Sequence, residues 1–363
     1  MLMVTAIASV AAMPPPAAPR LVWQLLEPAR GIPAHDGHAV YFLSQRHELL
    51  AASMTSGRLR WRVPMDATGA TFGSRVIVRG DVVVAGDYDL MGVHRRSGRR
   101  AWVFAASDGG GSGMHLGEAT DDLVFSGSLA GSLHAIVITD GRLRWSLRVG
   151  DPASTTVYSP VVRGNLVAAS YSDFGSSPFG GVVVADAGTG RMRWRRVVPG
   201  SVGASGNAVF AGAVVVAAAR DGTIHGFDSA SGASLWAMPK VERLVDEQDY
   251  RPLAVSGRTL VAGSLSGEVV AHDLFTRRVL WRRTPVAASV AFGIAAQDDV
   301  VYVPYFSNQI VALRLRDGAE VWRLGGGTSQ FRWVPLIHGP RLLASGANVF
   351  SVFRQDGSGR TGR

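Results

Sequence analysis

The 363-residue chain contains no cysteine. That excludes disulfides, thiolate nucleophiles, cysteine-ligated zinc, iron–sulfur clusters and a lipid on an N-terminal cysteine, and it favours no compartment by itself. Lysine is nearly absent too: Lys240 is the only one, so the net charge of +9 is carried by arginine. The arginines are dispersed, often as R-x-R around a tryptophan, as with Arg60 and Arg62 or Arg193 and Arg195. That spacing reads as solvated strand faces, and with no reader motif beside it no nucleic-acid partner is expected. Charged residues are only 18% of the chain against 47% hydrophobic, too apolar a balance for disorder. No segment combines a helical apolar period with caps. No G-x-S-x-G, H-E-x-x-H or G-x-x-x-x-G-K-S/T pattern occurs, so hydrolase, metalloprotease and nucleotide-binding chemistry have no motif to stand on. The apolar run Met1–Ala12 is too short to span a bilayer, which takes about 20 apolar residues.

Glycine, by contrast, numbers 44, and much of it recurs in one phrase. SGRLRW ends at Trp61, SGRRAW at Trp102, DGRLRW at Trp145 and TGRMRW at Trp194; SGASLW ends at Trp236, TRRVLW at Trp281 and DGAEVW at Trp322. With Trp23 included, the tryptophans lie roughly 38–49 residues apart, the signature of a repeat architecture. Each repeat reads as four strands. In the fourth they are predicted at Thr155–Val162, Asn165–Ser170, Gly181–Asp186 and Arg191–Arg195, from β-branched residues bounded by glycine. Between the last two strands comes a Ser, Thr or Asp followed by Gly, the chemistry of a tight hairpin. The final repeat, 341–360, has two strands and a turn at Asp356-Gly357 but no tryptophan. A ring must leave no open sheet edge, so the strand Leu21–Gln24 is expected to pair with it and Trp23 to fill the vacant position. The expectation is an all-β fold: an eight-bladed β-propeller of four-stranded antiparallel blades, one domain over residues 21–363, closed by the N-terminal strand. Trp23, Trp61, Trp102, Trp145, Trp194, Trp236, Trp281 and Trp322 are then structural core. Residues 1–20 resemble a secretory signal with Ser9-Val10-Ala11 as cleavage candidate, lacking a basic residue ahead of the run, followed by a proline linker.

The phrase A-x-D-x-x-T/S-G-x-x-x-W, best kept in Ala185–Trp194 and Gly226–Trp236, is similar to the repeat of the PQQ-like, quinoprotein-type β-propeller family. In His272–Trp281, Arg277 replaces the glycine; the aspartate position is Ser53, His94, Val137 and Arg314 in other copies. The resemblance spans roughly residues 21–360. Its BamB-like branch implies a non-enzymatic, periplasmic or otherwise extracytoplasmic scaffold. Such a scaffold is a monomeric propeller within a complex, binding protein partners in cell-envelope or outer-membrane protein assembly. With no cysteine, the chain departs from the lipoprotein pattern of that branch. The alternatives are a PQQ-dependent quinoprotein dehydrogenase, which would hold PQQ and calcium, or a sensor or ligand-binding propeller. The dehydrogenase branch implies paired cysteines and carboxylates beside the quinone. Here Glu118 is the one clear carboxylate on the predicted first strands. No cofactor is therefore expected, and no catalytic or metal residue is assigned.

Binding surfaces are sought in loops on the frame. The segment Pro239–Pro252 concentrates charge at Glu242, Arg243, Asp246, Glu247, Asp249 and Arg251. Arg332 and Trp333 form a second candidate, since Trp333 lies outside the repeat position and Arg and Trp favour interface anchors. Tyr171–Gly180 is a third long loop. Nine histidines are present, and His35-x-x-His38 is their closest pair, with no third ligand nearby in sequence. Asp186, Asp228 and Asp273 recur with the repeat and are expected to hold turns.

Overall fold

The computed structural model describes residues 18–65, 75–86, 89–105, 113–198, 204–219, 221–238, 252–286, 288–291, 293–325, 331 and 333–355, and among them there is no helix. Four-stranded antiparallel units follow one another along the chain, at 29–64, 75–104, 114–148, 155–197, 204–238, 253–283 and 295–325. The first two are linked by a single parallel bridge between Ile32 and Arg75. The last unit is built from three strands within 336–354 and the strand Arg20–Leu25, which pairs antiparallel with Phe350–Arg354. The expected pairing of the N-terminal strand is thus observed.

In the unit at 155–197 the first strand is split into Thr155–Val157 and Val161–Arg163, both on Leu166–Asp173. A continuous strand was expected. Pro160 interrupts it because proline has no N–H to give the ladder. The expected long loop Tyr171–Gly180 is shorter than its sequence suggests. Tyr171 to Asp173 and Phe179 to Gly180 continue the hairpin, so only 174–178 connect the strands. Small polar residues at the tip masked the alternation that continues to either side.

Apolar clusters lie between consecutive units rather than inside them. Tyr41, Leu43, Leu49 and Ala51 pack on Val76, Val83, Ala85 and Met91. Val40, Phe42 and Leu50 pack on Trp23, Leu343, Phe350 and Val352, joining the last unit to the first. The middle strands are buried on both faces, which is why runs such as Val82–Gly86 are apolar throughout rather than alternating.

The tryptophans join the units. Six indole N–H groups donate to a carbonyl of the next unit: Trp23 to Met54, Trp61 to Arg95, Trp102 to Ile138, Trp145 to Ala187, Trp194 to Ser229 and Trp281 to Leu315, at 2.7–3.0 Å. Each acceptor directly follows a third strand. Over each of these rings lies the turn glycine of the same next unit. At Gly141, with φ of 70°, an added Cβ would stand 2.6 Å from the Trp102 ring. Two constraints coincide there, a left-handed backbone and an aromatic face against Cα. Asp186, Asp228 and Asp273 hold these turns as expected, accepting from Thr189, Ser231 and Thr276. The Thr276 N–H, with Arg258 adding to it, pulls the Asp273 carboxyl down to about 2 against the opposing effect of burial.

Pairing of the third and fourth strands slips by one residue in every unit, always just before the tryptophan. The extra residues are Val22, Arg60, Ala101, Arg144, Arg193, Leu235, Leu280 and Val321. Such bulges twist an edge strand and blunt it against pairing with other chains. Trp23 occupies the same place relative to its bulge as the other seven.

The unit at 253–283 departs twice. Arg277 takes the turn-glycine position with φ of 61°. His272, only 1% exposed, stands where the other units carry Ala52, Val93, Ile136, Ala185, Phe227 and Leu313, and neither ring nitrogen has a partner among the described residues. Burial, with Arg282 adding to it, lowers its pKa to about 4.

Three outcomes are expected in urea denaturation. Gly141→Ala loses about 2 kcal/mol or more, from backbone strain and ring displacement together. Arg277→Gly gains about 1 kcal/mol by relieving a left-handed non-glycine residue. His272 binds its proton near 6.5 in the unfolded chain but only near 4 in the folded one. Its neutral form therefore stabilises fully above pH 6.5, and up to about 3 kcal/mol is lost as pH falls towards 4. His272→Leu should flatten that part of the pH profile, and an unchanged slope would exclude His272 as its source.

Candidate functional site

Glu118, the carboxylate that a quinone site would need, lies on the strand Met114–Ala119 and is engaged by its neighbours. Its Oε2 accepts the Val162 N–H of the following unit at 2.8 Å, and its own N–H donates to Pro160 at 2.9 Å. Arg75 of the preceding unit donates to the Gly117 carbonyl at 3.1 Å; burial depresses its guanidinium and the nearby Glu118 charge opposes that. Glu118 therefore ties first strands of adjacent units together. The break at Pro160 leaves a carbonyl free to meet it.

The histidine pair of the sequence does not converge. The His35 ring lies 3.8 Å from that of His338, across the junction of the first and last units, and accepts from the Gly37 N–H. Burial and the proximity of His338 lower the His35 pKa. His38 is exposed. Among the described residues no group of three His, Asp or Glu is placed to hold a metal ion.

A cavity lies elsewhere, at the junction of the units 29–64 and 75–104. It has a volume of about 400 Å³ and is lined by Asp36, His38, Tyr41, Arg60, Arg95 and Arg96. The turn Asp36-Gly37-His38 forms because glycine takes φ of 88° and Asp36 Oδ1 accepts the N–H groups of His38 and Ala39, at 2.9 and 2.7 Å. Asp36 Oδ2 accepts the Tyr41 hydroxyl at 2.9 Å and pairs with Arg95 across the junction at 3.4 Å. Burial alone would raise the Asp36 carboxyl, but these donors hold it below the usual carboxylate range. Burial, and then Asp36, raise the Tyr41 phenol. Arg60 is the bulge residue of its strand, and its Nη2 donates to the His38 carbonyl at 2.9 Å. The Trp61 indole holds the backbone of Arg95. Three guanidinium groups and one carboxylate thus line the same cavity. The arrangement is suited to gripping anionic groups, because guanidinium forks match carboxylate and phosphate oxygens.

Of the sequence-predicted contact residues, Glu242, Arg243, Asp246, Glu247, Asp249, Arg251 and Arg332 lie outside the described residues. Trp333 is half-buried, just ahead of the strand Leu336–His338. The structure therefore brings together a different set. Sequence reasoning placed Arg60 on a solvated face and left Arg95 and Arg96 unremarked. Their one signal was an Arg-Arg pair in a turn where the corresponding positions of other repeats are mostly apolar or small.

The model of the outer membrane protein assembly factor BamB family matches residues 9–238 and 109–324. Curated BamB proteins from Bordetella pertussis and Burkholderia pseudomallei are 25% and 26% identical over 84% and 82% of this chain, covering 78% and 77% of their own lengths. One from Xanthomonas campestris is 25% identical over 54% of the chain and is spanned over 44% of its length. Among solved structures, the designed protein Ika8 superposes with a TM-score of 0.74 at 16% identity, over 93% of this chain and all of that one. BamB from Moraxella catarrhalis gives 0.51 at 18%, over 89% and 83% of the two chains. A quinohemoprotein alcohol dehydrogenase from Pseudomonas putida gives 0.73 at 13%, over 94% and 77%. At these identities the structural likenesses establish a propeller fold alone, whereas the family model covers well over half of the sequence, and the chain belongs to the outer membrane protein assembly factor BamB family.

Proposed function

We propose that this chain is a non-enzymatic scaffold of the cell envelope. It binds protein partners in outer-membrane protein assembly, as a single eight-bladed propeller over residues 21–363 closed by its N-terminal strand. The observation that carries the functional reading is the family match, joined by BamB relatives aligned over more than four-fifths of the chain. Closure is supported by the strand Arg20–Leu25 on Phe350–Arg354 and by the apolar cluster between the last and first units. The engagement of Glu118 by Val162 favours a scaffold over a quinone enzyme, whose base must be free to take a proton. The envelope location agrees with the apolar N-terminal run. No helix among the described residues is long and apolar enough to cross a membrane.

Two measurements test the reading on the purified chain. Cross-linking capture from a detergent extract of cell envelope is expected to enrich components of outer-membrane β-barrel assembly. Calorimetric titration with pyrroloquinoline quinone and calcium is expected to show no saturable heat. Stoichiometric, calcium-dependent binding of the quinone would replace the scaffold with a dehydrogenase.

A further inference from the structure

The residues that line the cavity between the first two units are not those the repeat requires. After the third strand, the turn position of Arg95 is held elsewhere by Met54, Ile138, Ala187, Ser229, Leu274 and Leu315. What the fold uses there is the backbone carbonyl that receives a tryptophan, and any side chain supplies it. An arginine at Arg95, another at Arg96 and a third at the bulge position Arg60 coincide only at this junction. Framework packing therefore explains the carbonyl and leaves the three guanidinium groups unexplained.

Their partners are unequal. Arg95 is committed to Asp36. Arg60 spends one donor on the His38 carbonyl. Arg96 is exposed and makes no hydrogen bond or ion pair with any described residue. The Asp36 carboxylate also lies within the cavity, its oxygens already taken by the His38 and Ala39 N–H groups, the Tyr41 hydroxyl and Arg95, and its charge disfavours a small free dianion at the deepest point. A ligand that fits must direct separate carboxylates to Arg60 and Arg96 and keep its charge away from Asp36. A polypeptide with spaced acidic side chains does this, and polypeptides are the partners of a scaffold. Resting on the scaffold reading above, we infer that this cavity is a docking site for an acidic segment of a partner polypeptide, whose carboxylates are gripped by Arg60 and Arg96 while the Asp36–Arg95 pair holds the wall in place.

The test uses the full chain and a short fluorescent peptide of alternating glutamate and serine, with its glutamine counterpart as control, read by anisotropy at low salt. The wild type is expected to bind the glutamate peptide and not the glutamine one. Arg60→Gln with Arg96→Gln should weaken binding about tenfold or more, the loss of charge-assisted hydrogen bonds. Arg142→Gln with Arg191→Gln lowers net charge equally at exposed sites and should leave binding unchanged. Equal weakening in both double variants would reduce the effect to overall charge and overturn the site, as would failure of the wild type to bind. Inorganic phosphate displacing the peptide with an affinity as high as the peptide's own would overturn the peptide in favour of a small-anion site. Peptide binding and partner capture are read separately. A chain that captures assembly components yet ignores the peptide loses the docking site and keeps the scaffold. A chain that binds the peptide through Arg60 and Arg96 but captures no component keeps the chemistry of the cavity and loses the scaffold.

Discussion

The repeat tryptophan's indole, laid against the turn glycine of the next unit and hydrogen-bonded to a carbonyl there at six junctions among the described residues, is the constraint on which the rest of the structure depends. A four-stranded antiparallel sheet has two apolar faces in its middle strands and cannot bury either alone. The tryptophan solves this for both neighbours at once, because its ring covers apolar area while its N–H satisfies a backbone acceptor that would otherwise be stranded at the interface. The glycine follows from the ring. A side chain there would meet aromatic carbon, and the turn needs a positive φ in any case.

The bulge before each tryptophan belongs to the same device. Inserting one residue re-aims the strand so that the ring points to the next unit, and it leaves an irregular, charged or kinked outer edge. Trp23 shows that this geometry, rather than chain order, defines the repeat. It comes from the N-terminal strand yet has the same bulge, the same kind of acceptor and the same glycine contact. Where the device is weakest, in the unit carrying Arg277 and His272, the chain holds a left-handed arginine and a buried neutral histidine instead.

Because backbone groups and one aromatic per unit carry the interfaces, side chains on the turns are free to vary. The junction of the first two units uses that freedom. Arg95 gives its carbonyl to Trp61 and its guanidinium to Asp36, so one residue serves both the frame and the cavity. Glu118 shows the opposite case. It is a carboxylate in a position where chemistry could be sought, and it is spent on joining two strands.

The spacing of tryptophans and turn glycines was enough, in sequence alone, to determine the repeat, the strand order within it, the role of Asp186, Asp228 and Asp273 and the need for an N-terminal strand to complete the last unit. All of these are local or periodic, so a linear pattern records them. The break at Pro160 and the short loop at 174–178 are local too, but small residues and a proline carry little periodic signal. The cavity was not legible. Asp36, Arg60 and Arg95 come from three different turns and strands of two units, and only the packing of one unit on the next sets Asp36 against Arg95 at 3.4 Å. Sequence periodicity determined the frame because the frame repeats; tertiary structure alone decided the site, because the site lies at a junction where variable positions of two repeats meet.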